Sequence, residues 1–300
     1  MATTLTAVEP LAVAAVRGQS PAAAAWRRLW ASPVARGGLF IVCCFFLMAV
    51  VPPVVHQYDA KTDSNLAGRL KPPTAEHPLG TDSLGRDILV RVLHATRVSL
   101  GLGVSSVAVA AVAGSLLGLV AGYAGGRVDL VLMLCMDIVL AFPGTLLAIA
   151  IVAMIGPGLR NSLFAISIVA IPIYSRIARG AVLELREQEF VTAARGLGGS
   201  APHVVARHIV PNTLPPLTVQ TTLAIAFAIL ETAALGFLGL GAQPPTPEWG
   251  AMLADSYKYF TSGAWWVFFF PGAAIMLSVL GFNLLGDGLR DALDPRMRTD

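Results

Sequence analysis

At 300 residues the chain is long enough for two soluble domains, yet its composition excludes that class: charged residues make up 13% and hydrophobic residues 55%, against about 25% charged residues in ordinary soluble domains. The formal net charge is only +3, and the basic residues form no patch interleaved with aromatics, so no nucleic-acid partner is expected. Cys43, Cys44 and Cys135 fall inside apolar runs, where a thiol behaves as a small hydrophobe and neither a disulfide nor a metal site is indicated.

Residues 1–37 read as a cytoplasmic N-terminal tail. They are rich in Ala and interrupted by Pro10, Pro21 and Pro33, and Arg27, Arg28 and Arg36 directly precede the first long apolar run. A cleaved export signal places its charge ahead of a short apolar stretch, so this pattern instead predicts an uncleaved anchor helix. Six stretches reach the roughly 17–25 apolar residues needed to cross a hydrocarbon core of about 30 Å: 38–55, 98–122, 130–155, 161–178, 214–236 and 265–286. The expected fold class is therefore all-α and integral to the membrane, with six transmembrane helices. With the N-terminus inside, thirteen of the 21 Lys and Arg residues fall in inner segments, which is the side where they accumulate. Loop 56–97 then faces outward, and residues 291–300 form a cytoplasmic C-terminal tail.

In the second span Gly114, Gly118 and Gly122 recur at four-residue spacing, with Gly101 and Ser105 above them. Small residues on one face let another helix approach to backbone distance, where van der Waals contact drives association in lipid. Two carboxylates lie inside spans, Asp137 in the third and Glu231 near the outer end of the fifth. A mid-bilayer Asp costs about 2.5–3.5 kcal/mol and each Leu, Ile, Val or Phe contributes about 0.3–0.6 kcal/mol in return, so the apolar third span can carry Asp137. Both are candidates for a translocation pathway; both could equally serve interhelical hydrogen bonds.

His56, His77, His94, His203 and His208 all lie outside the apolar cores, so no Ser or Cys within a span has a His base on another. The sequence has no H-E-x-x-H and no Cys or His pair at ligand spacing, so no catalytic residue, bound cofactor or metal is expected. A phosphate-binding loop needs Gly-Lys-Ser/Thr, and none of Lys61, Lys71 and Lys258 follows a Gly. If nucleotide drives this protein, another chain binds it.

Between the fourth and fifth spans, good helix formers from Gly180 to Arg195 predict one helix, stopped by Gly196, Gly198 and Gly199. Ser200 can cap a second short helix with Pro202 in its first turn, ending at Pro211. Two helices joined by a glycine turn would project from the membrane as a compact knob.

This segment, VTAARGLGGSAPHVVARHIVPN, resembles the cytoplasmic motif E-A-A-x3-G-x9-I-x-L-P of binding-protein-dependent importer permeases. Ala193, Ala194, Gly198 and Pro211 match at the required spacing, while Thr192 stands at the Glu position, His208 at Ile and Val210 at Leu. HPLGTDSLGRDILVRVLHATRVSL (77–100), LGFLGLGAQPPTPEWGAMLADS (235–256) and GDGLRDALDP (286–295) are similar to the peptide-transport branch, most of all to the second permease subunit of dipeptide importers.

The resemblance implies a type I ABC importer permease fold, with a five-helix core at 98–290 and a coupling segment at 179–213. In that segment Thr192, Ala193, Ala194, Gly198 and Pro211 would seat on an ATPase, so Ala194→Trp is expected to uncouple transport. It further implies a second homologous permease, two cytoplasmic ATPase subunits holding ATP and Mg, and a periplasmic or lipid-anchored peptide-binding protein. Together these would move dipeptides or short peptides across the bacterial inner membrane by alternating access; glutathione and metal chelates are alternative cargoes. The outer loops 56–97 and 237–264 would offer Asp82, Arg86, Asp87 and Trp249 as gate or binding-protein contacts, unless those residues only pin loop geometry. The competing readings are a self-sufficient secondary carrier or channel, which needs broken helices or related intramembrane charges in two halves, and a membrane-embedded enzyme.

Overall fold

The computed structural model describes residues 21–55, 58–59 and 63–293. Residues 1–20 and 294–300 of the expected tails lie outside them, as do His56 and Lys61. Apart from one isolated bridge between Thr81 and Asp87, the regular elements among the described residues are helical. They are α1 (Pro21–Ala31), α2 (Pro33–Val55), α3 (Ile88–Ala124), α4 (Gly126–Leu140), α5 (Gly144–Ile155) and α6 (Leu159–Leu185). After these come α7 (Glu189–Gly196), α8 (Ala201–Val204), α9 (Val210–Phe237), α10 (Trp249–Ser256) and α11 (Trp266–Leu293).

The bundle is built on the glycine seam between α3 and α6. A Cβ on Gly114 would strike the Ile171 carbonyl and the Tyr174 side chain, and one on Gly118 the Ser175 carbonyl and Ala178. On Gly122 it would meet Val182. The two backbones therefore touch, as small residues permit. Gly101 and Ser105 do not share this seam: Gly101 faces open space and Ser105 is exposed. At about 3.6 residues per turn they are rotated roughly 140° and 180° from Gly114, which the four-residue spacing of the other three conceals. A second close crossing joins α2 to α11, where Gly38 lies against the backbone of Leu284 and Leu285, and Gly288 against Ala35.

The expected third span, 130–155, is not one helix. α4 and α5 meet at a bend of 88°, because Pro143 lacks an amide hydrogen and biases Phe142 away from helical geometry. α4 nonetheless starts where α3 ends, and beyond α5 the Gly158 amide donates to the Leu240 carbonyl, 3.0 Å away at the opposite end. The bent pair thus crosses the bundle once. Among the described residues five helices are long and apolar enough to cross a membrane alone, and six with the bent pair taken as one span.

Helix limits also differ from the apolar windows. α2 starts at Pro33 instead of 38 and α3 at Ile88 instead of 98, while α6 runs on to Leu185. Apolar windows measure hydrocarbon thickness, whereas a helix continues wherever its backbone bonds close; the 37 residues of α3 span about 55 Å. The single helix expected over Gly180–Arg195 is divided instead, with α6 ending at Leu185 and α7 beginning at Glu189. A straight helix could not bring Val182 and Val191 together with Val204 and Ile209 in the small core they share. Nor does the segment stop at Pro211. α8 passes through a π-helical turn, Val205–Ile209, directly into α9, and that wider turn accommodates the ring of Pro211 against the carbonyls before it.

The outer surface inverts the pattern of a water-soluble protein: Met154 is 85% exposed, Phe40 70% and Leu130 69%. Exposed Trp26 and Trp30 mark one end of the bundle and exposed Trp265 and Phe269 the other, as aromatic belts do at the two faces of a bilayer. Gly118→Val should force the central seam apart at a cost of about 1–3 kcal/mol, lowering the unfolding temperature of the detergent-solubilised protein, while Gly101→Ala, in open space within α3, should not lower it.

Candidate functional site: an exposed elbow and three groups of carboxylates

At one end of the bundle α7, α8 and the turn between them form an elbow. α7 closes on a glycine cap: the amides of Gly199 and Gly198 return to the carbonyls of Ala194 and Arg195, both at 3.0 Å. That geometry needs φ +84° at Gly198, a value that favours glycine. Ser200 sits at the start of α8, but its backbone carbonyl, not its side chain, receives the Val204 amide. The elbow is fixed to the bundle by its buried valines, which pack against Leu119 and Tyr123 of α3. The Arg195 guanidinium lies 5.6 Å from the Tyr123 ring centre, and Arg186 donates to the Gly122 carbonyl.

Thr192, Ala193, Gly198 and Pro211 of the predicted set are exposed, whereas Ala194 is half-buried against the elbow core. The sequence reading missed Leu197, which is 89% exposed at the tip. Its neighbours Gly196 and Gly198 carry no side chain to cover it, and that spacing was the available signal.

At the opposite end Asp82 organises the long loop. Its Oδ1 accepts the amides of Leu84 and Arg86, and its Oδ2 accepts Arg86 Nε at 2.7 Å and Arg91 Nη1 at 2.5 Å. Asp82, Arg86 and Arg91 are all buried. Asp87 caps α3 by accepting the Val90 amide and hydrogen-bonds His77 at 2.9 Å. Trp249 is fully buried, edge-on to Phe45, and its Nε1 donates to the Val92 carbonyl. Among these candidates Asp82, Arg86 and Trp249 thus join the loop to α3, α2 and α10, and offer no free surface within this chain.

Glu248, which the sequence reading did not single out, starts α10. Its carboxylate accepts the Gly250 and Ala251 amides at 2.9 Å each and the Ser99 hydroxyl at 3.1 Å. A Cβ on Gly236 of α9 would overlap its Oε2, so Gly236 and Glu248 are fitted to one another. Burial raises the Glu248 pKa above the ordinary carboxylate value, against the lowering effect of those three donors.

The two carboxylates within the spans diverge. Asp137, half exposed, pairs with Arg176 of α6 at 2.6 Å, and Asp129, nearer the start of α4, holds Arg179 through two bonds of 2.5 and 2.6 Å. Both acids clamp α4 onto α6. Glu231 is buried at 6% exposure and accepts the Thr145 hydroxyl of α5 at 2.6 Å. Its Oε2 is buried with no hydrogen-bond partner among the described residues, and the residue Glu231 is among those lining a cavity of about 130 Å³.

These features define a multi-pass helical membrane protein with a folded, small-residue elbow at one end and a locked loop assembly at the other. Residues 114–299 match the family described as binding-protein-dependent transport system inner membrane component, and residues 20–73 match the N-terminal TM domain of oligopeptide transport permease C. The chain belongs to this family of binding-protein-dependent permeases. It is 49% identical over 280 residues to the dipeptide transport system permease protein DppC of Alkalihalophilus pseudofirmus, covering 93% of this chain and 91% of that one. It is 46% identical over 285 residues to the di/tripeptide permease DppC of Pseudomonas aeruginosa, covering 93% of each. Identity to the glutathione transport permease GsiD of Pectobacterium atrosepticum is 42% over 274 residues, 91% of each chain. In shape it is similar to a chain of the MetNI methionine ABC transporter in an inward-facing conformation, with TM-score 0.57 and 18% identity over 69% of this chain and 98% of that one. The fold is the type I ABC importer permease fold expected from the sequence.

Asp82→Ala would leave Arg86 and Arg91 buried without their shared carboxylate and should cost about 3–5 kcal/mol, read as a lowered unfolding midpoint in detergent. For Glu248 the folded state holds the proton more tightly than the unfolded chain, so its contribution falls as pH rises from about 4.3 toward the raised folded value. Glu248→Gln should therefore flatten the decline of thermal stability as pH rises above about 4.3.

Proposed function

We propose that this chain is one of two membrane-spanning subunits of an ATP-driven importer, and that it carries dipeptides or short peptides across the bacterial inner membrane. The elbow carries this reading. It is a folded unit anchored on α3, with Ala193, Gly196, Gly198 and Leu197 turned outward, and such a surface suits a groove on a second protein better than a water-facing loop. The cargo is inferred from relatives whose names specify dipeptide, di/tripeptide and glutathione transport.

On this reading the N-terminus and the elbow are cytoplasmic, and the elbow sits on one of two ATPase subunits that hold ATP and Mg. The loop assembly faces a peptide-binding protein outside, and a homologous permease completes the pathway. Closure of the ATPases on ATP draws the two elbows together and opens the spans outward; hydrolysis resets them. The bent pair α4–α5 is the feature that a secondary carrier would share, but such a carrier needs a related break in its other half. Among the described residues this is the one bent pair.

The test requires a position that faces out. Ala194→Trp would unpack the elbow itself, because Ala194 lies against the buried valines, so Ala193→Trp and Leu197→Glu are the informative variants. In proteoliposomes holding the complete importer, each should reduce dialanine uptake at least about tenfold while the variant chain keeps its thermal stability. Unchanged uptake in both, or uptake by the isolated chain without ATPase partners, would count against the assignment.

A further inference from the structure

Glu231 stands apart from the other buried acids. Asp82 and Glu248 are each satisfied by several donors, whereas Glu231 has a single one, Thr145, and its second oxygen is buried without a partner. The residue is only 6% exposed, so that oxygen cannot be left to bulk water, and a buried acceptor with nothing to accept is costly.

The cavity beside it suggests what completes the site. Its walls are almost wholly apolar, drawn from Val107, Ala148, Ile166, Ala228 and their neighbours. Along α9, Gln220, Ala224, Phe227 and Glu231 fall on one face, so the carboxylate closes one end of a chamber whose other end holds Gln220 and Tyr174. A carboxylate set in such walls selects a donor bearing positive charge, because only a paired charge is tolerated there. The carboxylate terminus of a peptide would be repelled, while its α-ammonium, charged at pH 7 with an ordinary pKa of about 7.7–8.0, supplies both the charge and the hydrogens. An apolar first side chain fits the walls.

We propose that Glu231, positioned by Thr145, receives the α-ammonium of the transported peptide within the bundle, with the first side chain of the peptide in the adjoining cavity. This rests on the peptide-importer reading above. A basic side chain of the partner permease is the competing occupant; the depth of Glu231 behind its own chain favours a small mobile group.

The complete importer, with its binding protein, is reconstituted in proteoliposomes and assayed with dialanine and tetra-alanine as probes. Glu231→Gln keeps the volume and an oxygen for Thr145 but not the charge. The expected result is uptake at least about tenfold lower, with binding-protein-stimulated ATP hydrolysis within about twofold of wild type, so that more ATP is consumed per peptide. Glu231→Asp, which keeps the charge, should retain more uptake than Glu231→Gln.

Wild-type uptake by Glu231→Gln overturns the proposal, since a merely structural hydrogen bond survives that change. Loss of uptake and stimulated hydrolysis together overturns it too and places Glu231 in the conformational cycle. Loss of the partner permease on purification assigns the carboxylate to that subunit instead. If wild type moves neither peptide, the peptide reading itself falls, and this proposal with it.

Discussion

The contact of backbone with backbone along Gly114, Gly118 and Gly122 fixes the arrangement of everything else in the bundle. In lipid, helices gain nothing from hiding apolar side chains from one another, so association depends on how closely they pack. Because α3 and α6 touch, α6 is held where Arg176 and Arg179 can reach Asp137 and Asp129, and α4 is drawn onto it. The same seam ends at Gly122, whose neighbour Tyr123 supports the elbow. A side chain at the seam would therefore disturb the ion pairs and the elbow as well as the crossing.

The two ends of the molecule use polar groups in opposite ways. At the loop end, Asp82 gathers donors from Leu84, Arg86 and Arg91, and Glu248 from the start of α10 and the distant Ser99, and together they fix irregular stretches as a cap on α3 and α10. At the elbow end most polar side chains, among them Glu187, Glu189, Arg195 and Arg207, lie on the surface, and shape is set by a glycine turn over a small core of buried aliphatic residues. One end resists deformation through many directional bonds; the other presents a small surface with Leu197 at its tip, held by packing.

Much of this was legible in the sequence because it follows from local rules. The spans follow from apolar runs, the seam from glycine spacing, and the elbow from the helix stop at Gly196, Gly198 and Gly199, while the spacing of Gly198 to Pro211 was carried by the family resemblance. What escaped depends on tertiary partners. The division of the predicted 180–195 helix reflects the need of Val182, Val191, Val204 and Ile209 to meet, and local propensity could not reveal that: Glu187 and Glu189 favour helix whether or not the chain turns at Arg186–Gln188. The bend before Gly144 was written in Phe142-Pro143, but apolarity on both sides concealed it. Asp82 and Trp249 stood out as unusual loop residues, yet the burial of Trp249 against Phe45 could only be seen once distant segments were brought together, and that of Asp82 only once the loop folded back on Arg91.

The unbroken length of α3 has a mechanical corollary. Its first turns are bolted to the Asp82 network and its last to the elbow, with about 55 Å of continuous helix between them. A stiff rod of that length cannot absorb motion at one end, so a tilt of a few degrees imposed at the elbow becomes a displacement of several ångströms at the loop cap, with no intermediate joint required.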